Sequence, residues 1–385
     1  MCLMGYLGDA IGRQRALIVT LSLTVLGALG CALFPWSYDP NIVYAVICAC
    51  RFVLGVGVGG IYPLSAVTAS EGSASKEDVT KSVGMAFFWQ TPGAMFPYLV
   101  GLLLLQIPSS YTNATQLQFR LLMGLGAIPA AIVLYASLSH EDSHEFKKSQ
   151  AKSPLKDALK QRAYWKTLLG TAGTWFLYDV AYYGTNIFTP DIIESIFGKE
   201  DNIQLCWHSL VAQAIGIPGC LLGIWLLKPK GVYWLMLYGF WFIAVLFAAF
   251  AIVYNVDTTG LSSIKFVLYC ALTFALNFGP NVATFVLPVV SFPPHVRSIF
   301  HGLSAASAKL GAVVGTYIFV PISHAWGVAG VMWLQVGLCV LGAIVTILCV
   351  KKDSERDAVD LQDSLQYGDH ESDLLLPRNN KGINA

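Results

Sequence analysis

Arg51-Phe-Val-Leu-Gly-Val-Gly-Val-Gly-Gly-Ile-Tyr-Pro-Leu-Ser-Ala66 carries glycines at 55, 57 and 60, the G-x-G-x-x-G spacing that cradles a dinucleotide pyrophosphate elsewhere. That spacing has meaning only where a strand turns into a helix within a βαβ unit. Here the glycines lie inside one apolar run, from about Ile42 to Ser70, with no turn ahead of them. The stretch therefore reads as a glycine-rich stripe on a membrane helix. Arg51, Gly55, Gly59 and Tyr62 share one face. Gly55-x-x-x-Gly59 is the small-residue spacing that lets membrane helices approach closely, and Tyr62 extends that face toward a cavity.

The rest of the chain supports the membrane reading. Of its 385 residues 55% are hydrophobic and 12% charged, with a mean hydropathy of +0.60; soluble domains carry about 25% charged residues. Apolar windows long enough to cross a bilayer as a helix lie near 16–36, 42–70, 79–105, 117–138, 165–190, 206–228, 232–254, 264–290, 298–322 and 327–350. Lipid offers no partner to a lone backbone group, so each of these ten spans is expected to be helical and the fold all-α. Basic residues at Arg13, Arg15, Lys76, Lys81, Lys228, Lys230, Arg297, Lys351 and Lys352, and in the segment from Lys147 to Arg162, occupy every second connection. Those connections face the cytoplasm. Asn113-Ala-Thr115, a glycosylation sequon, falls on the opposite side.

The nine cysteines form no C-x-x-C pair and read as small core residues, and a net charge of +1 gives no sign of a nucleic-acid partner. His295 and His301 have neither a nucleophile nor metal-ligand spacing around them, so neither an enzyme nor a metal site is expected. Charged groups inside spans are costly and mark functional positions by default. Arg51, Asp179 and Lys309 are such groups, with Gln90, Asn277 and Asn281 as polar companions. Trp175, Asp179, Tyr183 and Asn186 form one helical stripe, an aromatic wall with a carboxyl, a phenol and an amide. Gly302, Ala305 and Ala312 leave room beside Lys309, which is expected to point inward. A structural ion pair between Asp179 and Lys309 is the alternative use of the same two residues.

Gly5-Tyr-Leu-Gly-Asp-Ala-Ile-Gly-Arg13 resembles the loop between the second and third helices of the major facilitator superfamily. The resemblance implies a twelve-helix fold of which the first helix and most of the second are absent here. The domains would be an incomplete bundle at 1–138, a cytoplasmic linker at 139–163, a six-helix bundle at 164–350 and a cytoplasmic tail at 351–385. It also implies a gate in which Asp9 and Arg13 pair with helix ends of the other half.

Three segments together resemble the phosphate:proton symporter family within that superfamily: Arg51 to Ala66; Gly170-Thr-Ala-Gly-Thr-Trp-Phe-Leu-Tyr-Asp179 continuing to Asn186; and Asn277-Phe-Gly-Pro-Asn281 followed by His301 to Lys309. By that resemblance, inorganic phosphate lies midway through the membrane against Tyr62, Gln90, Trp175, Asp179, Tyr183 and Asn281, with Lys309 nearby. Asp179 would carry the coupling proton. The transmembrane proton gradient would supply the energy, with no cofactor. Three departures stand out: Ile61 occupies a position where the family has Asp, a second family carboxylate belongs to the first helix that is expected to be absent here, and Lys228-Pro-Lys-Gly231 lacks the Asp-x-x-Gly-Arg of a second gate. A phosphate ester such as a glycerophosphodiester is the alternative substrate. A non-transporting phosphate sensor, or an inactive fragment, is the alternative class. The expected location is the plasma membrane, with an endosomal or vacuolar membrane as the alternative because Glu371-Ser-Asp-Leu-Leu375-Leu376 resembles an acidic dileucine sorting signal.

Overall fold

A helix rises about 1.5 Å per residue, so some 20 residues cross a bilayer. Two helical stretches, Gly216–Tyr254 with 39 residues and Pro294–Cys349 with 56, are too long for one crossing. Each is broken by a glycine in the positive-φ region that side chains rarely adopt: Gly231 at φ 80, ψ 167 and Gly327 at φ 69, ψ 179. The chain reverses there. Both breaks fall at connections between the expected spans.

The computed structural model describes residues 1–34, 37, 39–71, 76–108, 113–139, 162–256 and 260–354, except for side chains 2, 3, 5, 9, 10, 71, 76–78, 294 and 295. The side chains of Asp9 and His295, nearly all of the 139–163 segment, and the dileucine-like stretch at 371–376 thus lie outside the described residues. Met1–Val350 forms one compact unit. The described elements are helical: α1 (Cys2–Ile11), α2 (Arg13–Leu33), α3 (Pro40–Glu71), α4 (Lys76–Phe88), α5 (Gln90–Leu104), α6 (Ala114–Leu125), α7 (Ala127–Ser137), α8 (Arg162–Asn186), α9 (Thr189–Phe197), α10 (Asn202–Ala214), α11 (Gly216–Tyr254), α12 (Ser262–Phe278), α13 (Pro280–Ser291) and α14 (Pro294–Cys349). Six helical stretches are long and apolar enough to cross a membrane. Two of these divide at Gly231 and Gly327, and α4 with α5, and α8, add the remaining crossings. The expected ten spans are all helical.

Glycines set which helices touch, and here the structure corrects the sequence reading. A Cβ at Gly57 would lie 2.6 Å from the Thr24 backbone nitrogen, and one at Gly27 would lie 2.6 Å from Leu54 Cβ. Together with Gly60, which faces Thr20 and Met4, these are the glycines that seat α3 on α2. Gly55 has nothing within 4 Å of such a Cβ, so the Gly55/Gly59 pair does not form the packing stripe. Arg51, expected to face a cavity or a partner, is exposed and sends Nη2 to Met123 Sδ on α6 at 2.9 Å.

In the second half α8 lies along α14. A Cβ at Gly311 would overlap the backbone of Phe176, and one at Gly315 would overlap that of Val180. Gly219 and Gly223 on α11 meet Phe274 and Phe278 on α12 in the same manner, and Gly239 meets Gly279. Dispersion is what holds helices together where lipid removes the hydrophobic incentive, so backbone approach of this kind is the main source of cohesion. The halves meet at both ends of the bundle. At one end α5 packs on α10. At the end marked by basic connections α1 and α3 reach α14, Arg297 Nη1 donates to Ser70 Oγ at 3.1 Å, and α4 reaches α11.

Gly315→Leu is expected to lower the stability of the purified full chain by about 3 kcal/mol, since an added side chain must push α8 away from α14. Gly55→Ala, at a position with open space, is expected to leave it unchanged or slightly raised. Thermal unfolding in detergent of both variants beside the parent checks the contrast.

Candidate functional site

Gly311 and Gly315 lie two and six residues beyond Lys309 on α14, and the close approach of α14 to α8 at Phe176 and Val180 holds the lysine near the Asp179 turn between them. Lys309 Nζ lies 3.1 Å from Asp179 Oδ2 and donates to the Tyr183 hydroxyl at 2.7 Å. Nζ also lies over the Tyr183 ring at 4.3 Å and the Tyr62 ring at 4.8 Å, within cation–π range. The Asp179 side chain is only 4% exposed and the Lys309 side chain 30%, so the cation reaches the central space while the carboxylate sits behind it.

Tyr62 makes this centre a junction between halves. It comes from α3, whereas Asp179, Tyr183 and Lys309 come from α8 and α14. Its ring lies 6.2 Å from Trp175 and 6.1 Å from Phe285, and Phe87 of α4 packs on Phe285 at 4.7 Å. The aromatic stripe seen in the sequence is thus one wall of a cluster that crosses the interface.

Tyr62, Trp175, Asp179, Tyr183 and Lys309 gather in this way, while the amides turn elsewhere. Asn281 Nδ2 donates to Asn277 Oδ1 at 3.2 Å, and Thr91 on α5 donates to the same oxygen at 3.2 Å. Gln90, next to Thr91, is half-buried at the start of α5, and its Oε1 has no hydrogen-bond partner among the described residues. Asn186 bonds Gln213, which continues to Thr189 and Tyr269. Arg13 is buried at the start of α2, and α1 ahead of it lies against α14: a Cβ on Gly8 would sit 3.6 Å from Ser298 Oγ. Phe285, Thr91 and His301 were not singled out from sequence as site neighbours. Phe285 and Thr91 resemble any apolar or small residue of a span, while His301 carried the one available signal, a titratable ring eight residues before Lys309.

Fold and site define a multi-pass integral membrane protein of major facilitator type, with a charged centre where two helical halves meet. The chain belongs to the sugar (and other) transporter family, which it matches over residues 1–361. It is 40% identical over 336 residues to the inorganic phosphate transporter PT2 of Toxoplasma gondii, covering 86% of this chain and 58% of that protein. The chain therefore spans somewhat more than half of that relative's length. It is 32% identical over 379 residues to inorganic phosphate transporter 1-4 of Arabidopsis thaliana, covering 83% of this chain and 71% of that protein. Among solved structures, the proton:xylose symporter XylE bound to 6-bromo-6-deoxy-D-glucose superposes with a TM-score of 0.73 at 18% identity, covering 91% of this chain and 82% of that one. At that identity the likeness concerns the fold.

Lys309→Met leaves a buried carboxylate without its cation and is expected to cost about 3 to 5 kcal/mol of stability, whereas adding Asp179→Asn removes the orphaned charge and recovers most of the loss. A double-mutant cycle of unfolding free energies on the purified chain measures this. Additive effects would show that the pair does not act as a unit.

Proposed function

We propose that the protein is a secondary transporter of inorganic phosphate that works by alternating access and is coupled to protons at Asp179. The observation that carries this reading is the engagement of the Lys309 ammonium by Asp179 and Tyr183 from one half and by the ring of Tyr62 from the other. Such a cation, at the meeting point of two halves, is a ready site for an anion once its internal counter-ion is neutralised. The relatives named as inorganic phosphate transporters support phosphate as that anion.

The sequence of events follows from charge. With Asp179 ionised, the site is neutral and closed on itself, and a second anion is repelled. A proton on Asp179 weakens its hold on Lys309. The ammonium and the phenols of Tyr62 and Tyr183 can then turn to phosphate, while the protonated carboxyl offers an O–H donor. Loss of the proton on the other side restores the repulsion and expels the anion. The two halves rock about the central site between these states, as secondary transporters with internal repeats do. Gln90 and Asn281 complete the set assigned to phosphate, and Asp9 with Arg13 to the gate. The proton gradient is the energy source, and the plasma membrane is the proposed location.

Labelled phosphate uptake into cells lacking their own carriers is expected to rise as the outside is acidified. Asp179→Asn, which cannot ionise, is expected to exchange phosphate across the membrane but not accumulate it against a gradient, with a flat pH profile. Uptake by the parent without any pH dependence overturns the coupling. Competition by a glycerophosphodiester stronger than by phosphate shifts the substrate to the ester.

A further inference from the structure

One buried titratable side chain close to this site has no part in the scheme above. His301 on α14 is fully buried. Its Nε2 lies 3.2 Å from the backbone carbonyl of Phe285 on α13. A carbonyl only accepts, so Nε2 carries the proton, and Nδ1 is left as a bare acceptor with no hydrogen-bond partner among the described residues. The imidazole stands edge-on to Trp175 of α8, with centroids 5.6 Å apart at 87°, and to Phe285, at 5.2 Å and 84°. One ring therefore touches the three helices that carry Asp179, Asn281 and Lys309.

The carbonyl it holds is not an arbitrary one. Phe285 lies three residues ahead of Pro288, which sits inside α13. A proline within a helix lacks the N–H that would bond the carbonyl four residues earlier, here that of Thr284, and its ring crowds that turn, so Phe285 belongs to the turn that the proline weakens. His301 supplies a donor at that turn. The same turn presents the Phe285 ring to Tyr62 and Phe87 of the other half. An unpartnered buried Nδ1 is unfavourable, and an aliphatic side chain would avoid it, so the histidine's contribution lies in the Nε2 bond and the ring's placement.

We propose that His301 is a positioning residue for the anion site: its Nε2–H ties α14 to the Phe285 carbonyl of α13, and its ring packs on Trp175 and Phe285, holding them as the wall against which Lys309, Asp179 and Tyr62 are aligned. The proposal rests on the transport reading above for its functional readout and on the Nε2 bond for its structural one, so the two can fail separately. Glutamine can place an N–H close to where Nε2–H lies, whereas leucine keeps bulk without a donor. In phosphate uptake, normalised to protein at the membrane, His301→Leu is expected to raise KM about tenfold with the maximal rate changed less than about twofold, the signature of a disordered binding site rather than of lost protein. His301→Gln is expected to stay within about threefold of the parent KM, a rescue by the retained donor. Equal KM values for parent and His301→Leu overturn the proposal, as does an equal loss in both variants. Nitrogen-15 spectra of histidine-labelled full chain in lipid provide the test that needs no transport. A tautomer protonated at Nε2 and bare at Nδ1, missing from His301→Gln, is expected; a protonated Nδ1 at this position overturns the proposal even if the parent proves not to carry phosphate. Absence of phosphate uptake by a parent with the expected tautomer overturns the transport reading and, with it, the functional role given to His301.

Discussion

The contact between α8 and α14 is the constraint on which the rest of the site depends. At Gly311 and Gly315 the two backbones come closer than any side chain would allow. That fixes the distance between helices and also their rotation about their own axes. Given that rotation, Lys309 has Asp179 and Tyr183 in front of it, with Tyr62 of the other half beneath its ammonium. The ion pair is then a consequence of packing, and it returns little stability of its own, because desolvating two charges offsets most of their attraction. Its persistence in the middle of an apolar bundle is better explained by a switch than by a brace.

A switch needs a moving part on which to act, and the contacts across the interface supply it. Tyr62 is the residue of the first half that touches the ammonium directly, and its ring also rests on Trp175 and Phe285. Any change in what Lys309 binds alters the hold of one half on the other at that point. Phe87 on Phe285 and Thr91 bonded to Asn277 add further contacts between the halves, and others sit at the two ends, where α5 meets α10 and where Arg297 meets Ser70. Under the proposed function, rocking opens one end set while the other stays closed. The centre of the bundle is the pivot, so a small change in charge there can bias both ends.

Much of this was legible in the chain itself. The ten spans could be read because lipid permits so few backbone solutions, and Asp179 and Lys309 could be picked out because charge is rare at that depth. Their pairing could only be suspected, since they lie 130 residues apart in sequence. The glycine stripe of α3 was read one face off. Periodicity names the faces of a helix but not the one a neighbour will choose, and that choice was made by Thr20 and Thr24 of α2, which leave room only for Gly57 and Gly60. Asn281 and Asn186 stand at the right heights, but each is engaged by another amide, Asn277 and Gln213. Phe285 was invisible because nothing distinguishes one aromatic in an apolar span from another.

Charge balance also explains how the site can dispense with a carboxylate at position 61. Carrying a net charge through the low-dielectric centre of a bundle is strongly unfavourable, so both the empty and the loaded forms must be close to neutral when the halves rock. Empty, Asp179 and Lys309 cancel. Loaded with one proton on Asp179 and a phosphate bearing a single negative charge, Lys309 and the substrate cancel. One titrating carboxyl is therefore enough for a monoanion, and Ile61 costs the cycle nothing. A dianion would leave the loaded site with one uncompensated negative charge, and a carboxyl at position 61 would not remove it, because a protonated carboxyl is neutral and an ionised one adds a further negative charge. Under the proposed function, the Asp179–Lys309 pair by itself therefore favours the singly charged form of the substrate, carried with one proton per anion.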